Sequence, residues 1–116
     1  MARPHYRLEA WRAARVLVKR VYEITSAYPS QETYGLVAQL RRAAVSIPSN
    51  LAEGAARAGQ REFAQFVNIA SGSLSELETQ LLLSADLGYL DPNHEIFSDV
   101  DQVSALLQGL YRSLAK

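Results

Sequence analysis

Cysteine is absent from the chain, which excludes disulfides, thiolate nucleophiles and thiolate-held metals and gives no sign of an oxidising compartment. Long apolar runs are absent too. The start, Met1-Ala2-Arg3-Pro4-His5-Tyr6, leads into mixed sequence with no secretory h-region or membrane span. A cytoplasmic location is therefore expected, and a membrane is not an expected partner. Net charge is missing as well: 12 basic side chains face 12 acidic ones, so the field of the whole molecule does not by itself attract a polyanion. Prolines number four and glycines six, and no segment sustains the strict apolar/polar alternation of a strand. Repeats, low-complexity tracts and long linkers are also lacking.

What is present is a 48% hydrophobic chain of 116 residues, enough for one core, so residues 1–116 are expected to form a single domain. The charge, balanced in total, is uneven along the chain. Residues 1–61 hold ten Lys/Arg and four Asp/Glu, and residues 62–116 hold two and eight. The chain is a charge dipole along its sequence.

Four stretches carry helical periodicity. In the first, about 8–28, Trp11, Ala14, Leu17, Val21, Ile24 and Tyr28 recur every three or four residues. Pro29 ends it, and Ser30 is placed to cap the next helix, with Glu32 in its positive first turn. The second, about 31–57, runs through Leu36, Leu40, Ala43, Ala44, Ile47, Leu51, Gly54 and Ala55, with Gly59 expected in the left-handed conformation just past its end. The third, about 60–87, uses Phe63, Phe66, Val67, Ala70, Leu74, Leu77, Leu81 and Ser84. Asp91-Pro92 then opens the fourth, about 92–115, with a heptad seam of Ile96, Val100, Val103, Leu107, Leu110 and Leu114. Short connections between helices of similar length predict an all-α, antiparallel up-down-up-down four-helix bundle.

Pro48 lies inside the second stretch. A proline there loses its bond to the Ala44 carbonyl and costs ~3 kcal/mol in an ordinary helix interior. Ala44, Ile47, Leu51 and Ala55 nonetheless stay in phase through it, which predicts a kinked but continuous helix rather than a loop. Around the bend, Ser46, Ser49, Ala52 and Gly54 keep the profile low for a packing partner. Ser49 or Asn50 can serve freed carbonyls, and Glu53 can pair with Arg57 four residues on. The run Ser71-Gly72-Ser73 marks a second expected close approach.

The segments "AWRAARVLVKRVYEIT", "YGLVAQLRRAAVSIPSNLAEGAAR" and "EFAQFVNIASGSLSELETQLLLSADLGYL" resemble the four-helix-bundle proteins named for the 23S rRNA intervening sequence, over about residues 8–90. The resemblance implies a bundle that assembles as a homo-oligomer, with five-membered rings as the associated arrangement. It also implies kinship with the accessory subunit of diversity-generating retroelements, a protein similar in fold that binds nucleic acid and a reverse transcriptase. Where the family commonly opens its third helix with Ser-x-x-Glu, this chain has Gly59 and Glu62, a cap weaker by only a few tenths of a kcal/mol.

Catalytic patterns are not legible. Inward Glu-x-x-His pairs, a nucleophile elbow and a phosphate loop are all missing. His5 and His94 read as exposed side chains rather than ligands, and Glu76 and Glu78, two apart on a helix, point in different directions. The six tyrosines read as core or rim rather than base-stacking platforms. The expectation is a non-enzymatic protein without cofactor or metal. The candidate nucleic-acid contacts are Arg12, Arg15, Lys19 and Arg20 on the first helix, with Arg41, Arg42, Arg57 and Arg61 along and after the second. Carboxylates of the last two helices supply the opposite flank, so positive can meet negative on the next copy. Expected partners are further copies of the chain in a ring and an RNA or DNA backbone. The alternative is a structural assembly module that recruits a protein near the Pro48 bend without binding nucleic acid.

Overall fold

Each of the four periodic stretches becomes an α-helix in the computed structural model, which describes residues 3–115. Helix α1 covers Glu9–Thr25, α2 Leu36–Ala55, α3 Gln60–Asp86 and α4 Ile96–Leu114, and 3-10 turns occupy Pro4–Arg7 and Ser30–Glu32. No strand occurs among the described residues. The helices form an all-α four-helix bundle whose interior is sealed by Leu17, Val21, Leu40, Ile47, Leu51, Val67, Leu77, Leu81, Ile96, Val100, Val103 and Leu107. Burying each such side chain contributes about 1.5–3 kcal/mol against the entropy of ordering the chain. In α4 the first four seam residues are buried, while Leu110 and Leu114 lie half-exposed where the bundle opens.

Contacts between α2 and α3 pair Gln39 with Gln80, Ser46 with Ser73 and Gly54 with Phe66. Numbers fall along one helix as they rise along the other, a pattern consistent with antiparallel neighbours. At Gly54 the two helices come close. A Cβ there would sit 2.6 Å from the Cβ of Phe66, so only glycine admits that contact. Helix α2 runs through Pro48 without interruption. Asn50 donates to the carbonyl and the hydroxyl of Ser46 at 2.8 and 2.9 Å, and the Ser46 and Ser73 hydroxyls are 2.8 Å apart. The carbonyl served is thus that of Ser46, not the Ala44 carbonyl that the proline deprives. In the Ser71-Gly72-Ser73 run the serine makes the approach, because a Cβ on Gly72 would meet nothing within 4 Å.

The helix ends differ from the sequence expectations for local reasons. Helix α1 stops at Thr25, where the Thr25 and Ser26 hydroxyls donate back to the carbonyls of Val21 and Tyr22 and Tyr28 turns into the core. Ser30 does not cap α2. The chain makes a separate 3-10 turn, and Glu32 takes over, its Oε1 accepting the Leu36 N–H at 3.3 Å. Gly59 is extended (φ −109°, ψ 145°) and serves as the N-cap of α3 rather than as a left-handed terminator. The left-handed position is Gly88, φ 83°, where Tyr89 N–H reaches the Ser84 carbonyl and Gly88 N–H the Ala85 carbonyl, a Schellman ending for α3. Asp91 closes a turn by accepting the Asn93 N–H at 2.8 Å, so α4 begins at Ile96, whose N–H is taken by His94 Nδ1 at 3.0 Å. His94 is half-buried, as is His5 beside Tyr6 and Trp11. Both have structural contacts where exposure had been expected.

Candidate nucleic-acid interface

Burying Ala10, Ala14, Leu17 and Val21 on one face of α1 turns Arg12, Arg15 and Lys19, spaced three and four apart, to the opposite, exposed face. Arg12 donates to the Tyr6 carbonyl at 2.8 Å, and the Arg15 guanidinium lies 4.9 Å from the centre of the Trp11 ring. These contacts orient the stems and leave the charges in water. Arg42 is exposed on α2. Among the described residues, Lys19, Arg42 and Arg61 form no hydrogen bond or ion pair.

Arg20, Arg41 and Arg57 are engaged by partners within the chain. Arg20 turns from the row to pair with Asp99 of α4, whose hydrogen bond and charge raise the arginine pKa above its ordinary value. Arg41 is half-buried. It donates through Nε to the Thr25 hydroxyl at 3.0 Å and through Nη2 to the Tyr22 carbonyl at 3.4 Å, and it lies 4.3 Å from the centre of the Tyr22 ring. It thereby serves the carbonyl end of α1, where a cation is favoured by the helix dipole. Arg57 pairs with Glu53 at 3.0 Å, as their spacing predicts, and stands over Phe66 at 5.0 Å. Arg61, in the first turn of α3, lines a cleft of about 490 Å³ with Tyr111 and Leu114. The structure therefore brings together Arg12, Arg15 and Lys19 on one helix face, commits Arg20, Arg41 and Arg57 to intramolecular partners, and sets Arg61 apart. Of the group around Pro48, Ser49 is exposed, while Pro48 and Asn50 are half-buried.

The acidic side chains gather lengthwise as well as sideways. Tyr89 donates to Glu32 Oε2 at 2.9 Å and its ring lies 5.4 Å from that of Tyr28, which ties the α1–α2 and α3–α4 connections together at one end of a molecule 43 Å long. Glu32, Asp86, Asp91, Glu95 and Asp99 belong to that end, whereas Arg57 in the α2–α3 connection and Arg61 in the first turn of α3 belong to the other. Adding helix direction to the charge order along the chain gives this axial component, which a side-to-side reading misses. At the acidic end Tyr34, Leu83 and Leu87 are exposed. Three consecutive leucines, Leu81 to Leu83, were the available signal, since a helix cannot turn all three inward. Among the described residues no three His, Asp or Glu side chains converge as metal ligands, and no helix is long and apolar enough to cross a membrane.

Comparison with curated proteins returns no match. A family model described as 23S rRNA-intervening sequence protein matches residues 6–109, from Tyr6 beside the basic row to Gly109 in the last turns of α4. With nearly the whole bundle inside the match, the chain belongs to the 23S rRNA-intervening sequence protein family.

Proposed function

We propose that the protein is a non-enzymatic, cytoplasmic adapter that assembles into a homo-oligomeric ring of five copies and holds nucleic acid by its phosphate backbone. The observation that carries the reading is the exposed row Arg12, Arg15 and Lys19, with Arg42 exposed on α2, on a chain of zero net charge. Cations concentrated on one face of a neutral molecule hold phosphates without reading bases. The acidic end supplies the complementary surface for the next copy. Such a contact is heterologous and closes into a ring when the rotation per subunit divides a full turn. The family resemblance implies five copies, and it implies kinship with a nucleic-acid-binding accessory subunit of diversity-generating retroelements.

A fluorescence-anisotropy titration of labelled RNA and DNA at several salt concentrations tests it. The wild-type protein binds at low salt, and Arg12→Glu/Arg15→Glu/Lys19→Glu abolishes binding while leaving the helical signal intact. Substitution of those residues by Gln lowers the slope of log K against log salt by about 2–3. Absence of binding at low salt by an intact oligomer would instead favour the alternative, an assembly module that recruits a protein, for which the apolar surface beside Leu83 and Leu87 is the specific support.

A further inference from the structure

The connection between α3 and α4 ends on a histidine that holds the start of the next helix. His94 Nδ1 accepts the Ile96 N–H at 3.0 Å, and the His94 carbonyl accepts the Phe97 N–H at 3.3 Å. A side-chain acceptor for an N–H two residues on is the role of an N-cap, ordinarily filled by Ser, Thr, Asp or Asn. Here a titratable group fills it. Ile96 is fully buried, so its amide is fixed where α4 enters the core, and Glu95 between the two makes no side-chain bond to the helix end.

Nδ1 can accept only while it carries no proton, which requires the neutral imidazole with its hydrogen on Nε2. A proton taken from water makes both nitrogens donors. The Ile96 N–H then meets another N–H instead of a lone pair, and the positive end of the α4 dipole opposes the cation formed beside it. The surrounding charges offer the ring a second position. His94, Glu95, Arg20, Glu23 and Ile24 line one cleft of about 340 Å³, to which α2 and α3 contribute no side chain. Arg20 is held by Asp99 of α4, and Asp91, earlier in the connection, accepts the Asn93 N–H. The Glu23 and Glu95 carboxylates have no hydrogen-bond or ion-pair partner among the described residues.

We propose that His94 is a pH-sensitive latch on the start of α4. Neutral, it caps the helix. Protonated, it releases the Ile96 N–H and turns to the Glu23 and Glu95 carboxylates in the same cleft, which loosens the first turn of α4. An imidazole changes charge between about pH 5 and 8, so mild acidification is the trigger. The inference depends on neither nucleic acid nor copy number and goes beyond the adapter reading.

The test is heteronuclear NMR of the isotope-labelled full chain from about pH 8 down to about pH 5, with the ring nitrogens of His5 and His94 read in the same samples. At the upper end the unprotonated nitrogen of His94 is Nδ1, and the Ile96 amide is protected. On acidification the Ile96 amide shifts in step with the His94 ring. Its protection against hydrogen exchange, corrected for the intrinsic pH dependence, falls at least about tenfold. His94→Asn keeps an acceptor that does not titrate, so its Ile96 amide stays in place across the range. An Ile96 amide that ignores protonation of the ring overturns the proposal. So does a His94 that takes up no proton by the acid end of the range, or an equal acid response in His94→Asn.

Discussion

At the residue scale the fold depends on contacts that tolerate little change. Gly54 lets α2 approach Phe63 and Phe66. Gly54→Ala places a methyl group 2.6 Å from the Phe66 Cβ, and the expected overpacking lowers the unfolding free energy by about 1–3 kcal/mol in urea denaturation. Stability equal to wild type would show that the helices separate at no cost. Tyr89 makes a different prediction. Its hydrogen bond to Glu32, with burial and the Glu32 charge, raises its pKa above the ordinary value near 10. Burial does the same for Tyr28, partly offset by Ser84. The folded state therefore retains these protons longer than the unfolded chain. Their contribution is fully present below the unfolded pKa and is lost as pH rises through the folded values. Urea midpoints should fall from about pH 10 upward, and Tyr89→Phe should be less stable at neutral pH but lose less on going alkaline. An unchanged alkaline slope would remove Tyr89 from the account.

At the element scale α2 is the informative helix. Its proline removes one ladder bond, yet the helix runs from Leu36 to Ala55 with Ser46, Ser73 and Asn50 joined by hydrogen bonds beside it. If that surround is fitted to a bend, Pro48→Ala restores the ladder bond but disturbs the fit. The stability gain should then fall short of the ~3 kcal/mol expected in an unconstrained helix. A full gain in thermal and urea unfolding would mean that the surround is indifferent to the proline. This helix also shows what sequence can carry. The apolar phase of Ala44, Ile47, Leu51 and Ala55 made its continuity legible, because periodicity records burial. Its start was not legible, because Ser30 and Glu32 both suit a first turn. Glu32 prevails because it can cap Leu36 and accept from Tyr89 of another element at once, a tertiary contact that no local pattern encodes. The candidate site divides the same way. Spacing sets Arg12, Arg15 and Lys19 on one face of α1, but partners distant in sequence take Arg20 and Arg41 out of the candidate set.

At the scale of the whole molecule a basic helix face, an acidic end and zero net charge make a particle whose basic face meets both the acidic end of the next copy and a polyanion. Salt acts on both contacts, since exposed charges beyond a Debye length of about 8–10 Å are screened near physiological ionic strength. Reversing only the basic row should therefore weaken nucleic-acid binding and loosen assembly together, whereas Arg42→Gln alone should reduce the salt slope by about 1. The most direct measurement is the native mass of the protein at low and at physiological salt, by native mass spectrometry with sedimentation velocity. A closed particle of five times the 12.8 kDa chain, shifting to smaller species when Arg12, Arg15 and Lys19 are made Glu, is the predicted result. A single-chain mass at every salt and concentration would contradict the account.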